Sequence, residues 1–368
     1  MMYKEQKWFG CDFGTQHTDD QIRNWLSSSK CSMNGFTGNK DAVDLMKAVS
    51  FFALQNGNHS VVDRSTGKSE KINIALLGGA GLGKTTLAKM FAKTVGLPFA
   101  ELHKVVKVQE IFDACNKELI PLGTPIAVKK NGKHTVPPMI IFVDEVHRYV
   151  GKSRRSPSGI MNDLLKATEP DDATLTNGKW VLDCSNVCWV VATTEWHLLP
   201  SPFRSRFMEV KLHPYTEDNV TEIVNSRFPD MPEDVCRLAA QHGCIIPRQA
   251  LNFAKLFAFE HGYKGGTWME AAENVASKKG IDEWGMTSER REVLTLLGKH
   301  DSLSKDKLGL YSGQPEIELD EIILPPLVNP VKGEPLIQHG GRGWSLLPAG
   351  VEELEKRGIP CTVHVDVA

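Results

Sequence analysis

LLGGAGLGKTT, residues 76–86, settles how the surrounding sequence is read. The preceding INIALLG is short and mostly apolar, so it reads as a strand. The following TTLAKMFAKTVG puts Leu87, Met90, Phe91 and Val95 on one face and stops at Gly96, as a helix does. Between them, Gly78, Gly83, Lys84 and Thr85 fit the spacing G-x-x-x-x-G-K-[ST]. Gly78, Gly81 and Gly83 let the backbone curl so that its N–H groups converge on phosphate oxygens at the N-terminus of the helix. Lys84 adds positive charge for the β- and γ-phosphates, the Thr85 hydroxyl is a ligand for Mg2+, and Thr86 completes the first helical turn. A nucleotide phosphate site is implied.

Two further buried-strand runs follow. MIIFVDE delivers Asp144 and Glu145 at its carboxyl end, the end at which α/β sheets place their ligands. Asp144 suits a magnesium ion held through water, and Glu145 suits orienting and polarising an attacking water, so hydrolysis is expected as well as binding. NVCWVVATTE brings Thr193 and Thr194 to the end of the third strand, where a polar side chain can sense a γ-phosphate. SPFRSRF then supplies Arg204 and Arg206. Strands alternating with helices imply an α/β fold with a parallel sheet.

A chain of 368 residues should hold two or three compact units, and 41% hydrophobic with 24% charged residues gives ample material for their cores. No apolar run approaches the roughly 20 residues of a membrane span, and the opening MMYKEQKWFG lacks a signal peptide's apolar stretch. A cytoplasmic protein with no membrane partner is expected. The eight cysteines form no Cys-x-x-Cys pair, Cys184 and Cys188 being nearest, which favours reduced thiols over zinc. A net charge of -2 confines any nucleic-acid site to a local patch.

Residues 1–34 read as an irregular extension with Trp8, Phe9, Phe13 and Trp25. A nucleotide-binding domain spans 35–214, opening with a helix around Val43 and Met46 and a surface loop, GNHSVVDRSTGKSEK. Residues 215–281 show only helical patterns, and 282–368 form a third domain with helices and a hairpin-like QHGGRGWSLL.

The order GLGKTT, FVDEVHR, ATT, SPFRSRF and IPRQALN resembles the AAA+ ATPases, and within them the RuvB-type motors that drive branch migration of Holliday junctions. The resemblance runs from about Gly35 to the end. It implies ATP/ADP with Mg2+, an AAA+ P-loop core, an all-helical lid and a C-terminal winged-helix domain. It makes Arg206 the finger that enters a neighbouring subunit's nucleotide, Arg248 the lid sensor and Thr194 the strand-end sensor. The chain departs from the family's pattern at GGAG, where the family has G-P-P-G, and at Glu195, where it has T-T-R. The hairpin ATLTNGKWVLDCSN is shortened, and TPIAVKKNGKHTVPP is an insertion whose Asn131-Gly132 is a hairpin turn signal.

In the tail, SERREVLTLLGKHDS, KDKLGLY and PEIELDEIILPPLV would be the three helices of a winged helix. The third is acidic through Glu316, Glu318, Asp320 and Glu321, so the wing, with His339, Arg342 and Trp344, is the better DNA contact. Lys152, Arg154 and Arg155, and Lys129, Lys130, Lys133 and His134, form two further basic patches suited to phosphates. The expected function is an ATP-hydrolysing motor or helicase on double-stranded or branched DNA, working in recombination or replication. It would act as a homo-oligomeric ring of six with a protein partner that targets it. The alternatives are a DNA-bound loader or initiator, and a regulatory ATPase acting on protein.

Overall fold

The structure, a computed structural model, describes residues 33, 39–55, 60–62, 69–102, 107–126, 132–150, 159–170, 172–177, 180–281, 286–328 and 334–362. It divides into two compact units, Met1–Pro214 and Tyr215–Ala368. The first holds α1 (Lys40–Gln55), β1 (Ser60–Val62), β2 (Ser69–Lys71), β3 (Ile74–Leu77), α2 (Lys84–Val95), β4 (Phe99–Leu102) and α3 (Val108–Leu119). It continues through β5 (Lys133–Thr135), β6 (Met139–Val143), α4 (Gly159–Ala167), β7 (Thr174–Asn177), β8 (Trp180–Asp183), β9 (Val187–Thr193), α5 (Ser201–Arg204) and β10 (Met208–Lys211).

Every residue of β3, β6 and β9 is buried, whereas the edge strands β4 and β10 alternate. Unbroken burial is what a parallel sheet covered on both faces demands of its central strands. The sheet order is β10-β3-β9-β6-β4 and every pairing is parallel. Leu77 lies opposite Thr193, and Val143 opposite Val191. The register therefore lines up Gly78, Asp144 and Thr194 along one edge. At the other end, buried Asn73 accepts from the Trp189 N–H at 3.2 Å and donates to Thr168 O at 3.3 Å and Arg206 O at 3.4 Å.

One expectation is corrected. The segment read as a surface loop contains an antiparallel ladder, Ser60 opposite Lys71 and Val62 opposite Ser69. The turn of the hairpin expected within 124–138 lies outside the described residues, and among the described ones Lys133–Thr135 makes a pairing not foreseen. β5 runs parallel to β8, which also pairs antiparallel with β7, making a three-stranded sheet. Lys133 is tied to Asp183 at 3.5 Å, so this lysine joins β5 to β8.

The second unit begins with α6 (Glu217–Arg227), α7 (Glu233–His242), α8 (Pro247–Lys264) and α9 (Trp268–Lys278). Thr216 and Thr267 cap α6 and α9 by accepting from the Asn219 and Glu270 N–H groups. Then follow α10 (Ser288–Lys299), α11 (Lys305–Ser312), α12 (Glu316–Glu318), α13 (Leu324–Val328), the wing strands β11 (Ile337–Gly340) and β12 (Gly343–Leu346), and α14 (Pro348–Lys356). This is the expected winged helix, built on Val293, Leu294, Leu297, Leu308, Leu324 and Leu346. A π-helical turn at Leu319–Ile323 joins α12 to α13. Pro325 and Pro326 cannot donate to the carbonyls four residues earlier, which breaks the α-helical ladder there. Arg290, buried in α10, donates to one of those carbonyls, Ile322 O, at 3.4 Å. No helix among the described residues is long and apolar enough to cross a membrane.

His242 ends α7 with its ring 5.6 Å from Phe253 and 6.2 Å from Phe257. Burial pushes its imidazole down to about 4, and the Arg290 charge adds to the effect. The fold holds the neutral ring while the unfolded chain, with a pKa of about 6.5, takes up a proton. Stability from this group is thus complete above about pH 6.5 and is lost as pH falls towards 4. Thermal unfolding by circular dichroism should show this unit losing about 2 kcal/mol between pH 7 and 5 from His242 alone. His242→Phe should flatten that loss, and an unchanged pH dependence in the variant would assign the acid sensitivity to other groups.

Candidate nucleotide site

The phosphate loop is shaped by what surrounds it. Gly78 has φ 150°, and a Cβ there would lie 2.6 Å from Leu212 O, so no side chain fits between the loop and the end of β10. Gly83, at φ 85°, starts α2 without a side-chain cap. A helix N-terminus without a side-chain cap favours an anion, and a phosphate is the acceptor that suits it. Lys84 is only 6% exposed, and its Nζ donates to Gly78 O at 2.8 Å and Gly79 O at 2.9 Å. Burying an ammonium without partners is costly. The two loop carbonyls hold it under the loop, where a phosphate oxygen is a stronger, charged alternative. Thr85 is half-buried and Thr86 exposed in the first turn, with Gly81 at the loop apex.

The adjacent strand ends supply the acids. Asp144 follows β6 and its Oδ1 accepts from the Glu145 N–H at 3.1 Å. Glu145 sits at φ 45°, ψ 51°, a left-handed conformation costing a non-glycine residue about 1–2 kcal/mol. The turn re-aims its side chain. Glu145 Oε2 accepts from the Thr194 N–H at 3.4 Å and lies 3.2 Å from His147 Nδ1. Thr193 is fully buried; its hydroxyl is 2.9 Å from the same Nδ1 and accepts from the Glu195 N–H at 2.9 Å. Thr194, the residue expected to act as strand-end sensor, stands exposed beside it.

The structure thus brings Gly78, Gly83, Lys84, Thr85, Asp144, Glu145 and Thr194 to one edge of the sheet. A hydroxyl at Thr85 and a carboxylate at Asp144 are hard oxygen donors of the kind magnesium takes. His147 was not singled out from the sequence. It stands in FVDEVHR, but a lone histidine two residues beyond the acids has no spacing that marks it. Only the pairing of β6 with β9 brings it to Thr193 and Glu195.

Arg206 lies elsewhere. It precedes β10, whose first residue pairs with the first residue of β3, and its carbonyl is bonded by Asn73 at the start of that strand. The four residues of β10 rise about 13 Å before the level of the phosphate loop. Its guanidinium donates to Leu165 O and pairs with Glu169 at 3.2 Å. Arg248 is exposed in the first turn of α8, and Arg342 is exposed at the turn between β11 and β12, with its carbonyl accepting from the Ser302 hydroxyl at 3.3 Å. Both belong to the second unit. Lys152, Arg154, Arg155, Lys129 and Lys130 lie outside the described residues.

Residues 74–215 match the family described as "ATPase family associated with various cellular activities (AAA)". The chain is 24% identical over 294 residues to the Holliday junction branch migration complex subunit RuvB of Paracoccus denitrificans, covering 75% of this chain and 78% of that protein. The solved structure of the Thermotoga maritima RuvB Holliday junction branch migration motor superposes with a TM-score of 0.66 at 19% identity over 90% of this chain and 98% of that one. A point variant of the same protein gives 0.66 at 20% identity over 88% and 98%. At these identities the solved structures speak to the fold. Residues 74–215, which carry the phosphate loop, the strand ending in paired acids and the parallel sheet that aligns them, match an AAA ATPase domain, and along most of its length the chain is similar to RuvB.

Proposed function

We propose that the chain is an ATP-driven motor on double-stranded or branched DNA, assembled as a homo-oligomeric ring of six copies. The observation that carries this reading is the position of Arg206. It sits at the amino-terminal edge of the sheet while its own phosphate loop sits at the carboxyl edge, so a part in hydrolysis requires a neighbouring copy's nucleotide. The likeness to RuvB, along most of this chain and most of those proteins, supports the same reading.

In this reading Gly78, Gly81, Gly83 and Thr86 cradle the phosphates, Lys84 leaves its loop carbonyls for the β- and γ-oxygens, and Glu145 accepts the proton of the attacking water. Magnesium, held by Thr85 and Asp144, would neutralise charge on the phosphate oxygens. Thr194 reports the γ-phosphate, and Arg248 reports it from the helical domain. We take 35–214 as the motor core, 215–281 as the lid and 282–368 as the DNA-binding domain, following a 1–34 extension. Arg342 in the wing and the Lys152, Arg154 and Arg155 loop would contact phosphates. A protein partner that targets the ring to DNA and a cytoplasmic location complete the proposal.

One observation favours the loader or initiator alternative. The third helix of the winged domain is acidic, and its Asp320 is paired with Lys305 at 2.9 Å, which leaves that helix poorly suited to a DNA groove. ATPase assays separate the readings. A motor's hydrolysis should rise severalfold with duplex or branched DNA, with ATP-dependent movement of branch points. Arg342→Ala should reduce the stimulation and leave the basal rate intact, Lys84→Ala should lose nucleotide binding, and Glu145→Gln should bind ATP without hydrolysing it. Stimulation by protein alone, with no response to any DNA, contradicts the motor reading.

The shared site makes a second prediction. Fingers supplied in trans are worth about 10³ to 10⁵ in rate, so Arg206→Ala should bind ATP and barely hydrolyse it. Mixed with Glu145→Gln it should regain part of the activity, because some junctions then join a sound pocket to a sound finger. A dead mixture in which mixed oligomers demonstrably form places Arg206 outside the reaction.

A further inference from the structure

We propose that His147 is the positioning residue for Glu145, holding its carboxylate at the candidate catalytic edge through Nδ1–H while Thr193 supports the ring. The proposal rests on the reading of Glu145 as the group that activates water. It adds a residue and a hydrogen-bond direction that this reading does not contain.

Glu145 enters the site from a left-handed backbone turn, and its side chain, 20% exposed, has three rotatable bonds. A carboxylate on such a tether is precise only if something holds it. The Thr194 N–H does so at 3.4 Å, a long contact. His147 Nδ1 does so at 3.2 Å from the same oxygen. With the proton on Nδ1, the tautomer this proposal assigns, one N–H lies between two acceptors, Thr193 Oγ1 at 2.9 Å and Glu145 Oε2 at 3.2 Å. The ring itself is clamped. Its Nδ1 is 2.9 Å from the hydroxyl of Thr193, which is fully buried in β9. Thr193 is in turn fixed by the Glu195 N–H at 2.9 Å. The side chain of His147 is 17% exposed, so little water competes for these bonds. A chain of contacts thus runs from the interior of β9 through the imidazole to the carboxylate beside Thr194, where a displacement of about 1 Å can cost a hundredfold in rate.

The geometry separates the two nitrogens. In His147→Asn the amide nitrogen takes the place of Nδ1 and keeps the donor, while His147→Gln carries its amide nitrogen near the place of Nε2 and loses it. Steady-state ATPase kinetics on the full chain should show kcat of His147→Gln and His147→Ala reduced about ten- to a hundredfold with KM and nucleotide affinity unchanged. His147→Asn should keep most of the wild-type kcat. A packing role alone would treat Asn and Gln alike, and would lower the melting temperature without this split. Wild-type kcat in His147→Gln, or a His147→Asn protein as slow as His147→Gln, overturns the proposal. Glu145→Gln serves as the control. If that variant hydrolyses ATP at the wild-type rate, the reading of Glu145 has failed and the His147 result is judged against it.

Discussion

The catalytic edge depends on one constraint, the parallel register that sets Leu77 opposite Thr193 and Val143 opposite Val191. Strands buried on both faces carry no inside-outside alternation to define register. Something else must pin it. Asn73, the polar residue at the foot of β3, bonds to the backbone of β9, to the end of α4 and to the carbonyl of Arg206. A buried amide left unsatisfied costs about 1–3 kcal/mol, so a slipped register that broke these bonds would be penalised at the foot of the sheet. The same residue sets the phosphate loop against the acids at one edge and anchors the backbone of Arg206 at the other.

Local strain and weak pairing then place the reactive groups. The left-handed turn at Glu145 costs stability that the buried strands on either side of it offset, and it points the carboxylate back towards β9. Arg206 shows the complementary device. Its ion pair with Glu169 has side chains 19% and 42% exposed, and partly exposed pairs of this kind contribute at most about 1 kcal/mol. In the proposed ring, a polyphosphate in a neighbouring copy would compete for this guanidinium through charge. Lys84 is in the same position with respect to its two loop carbonyls.

The residues of the candidate nucleotide site could be picked out in the sequence, because Gly78, Gly83, Lys84 and Thr85 have fixed spacing and Asp144 and Glu145 end an unmistakable buried strand. The parallel sheet was legible for the same reason, since MIIFV and VCWVVAT are apolar without interruption. What escaped the sequence is either too short to show a period or depends on contacts between distant segments. The ladder of β1 and β2 is only three residues a side, too short for its polar composition to reveal a period. Asn131-Gly132 signalled a local turn, but β5 finds its partner in β8, nearly fifty residues on, and a turn signal says nothing of that. His147 and Thr193 acquire meaning only across the β6–β9 pairing.

The central proposal is that one chain supplies a pocket and a finger to two different sites, so that full activity needs an assembly of copies, which duplex DNA stimulates. Electron microscopy of Glu145→Gln with ATP and a duplex tests it most directly. The account predicts closed rings of six with the duplex in the central channel and Arg206 of each copy at its neighbour's γ-phosphate. Isolated monomers with nucleotide bound, or rings in which Arg206 stays on Glu169 and the duplex lies outside, contradict it.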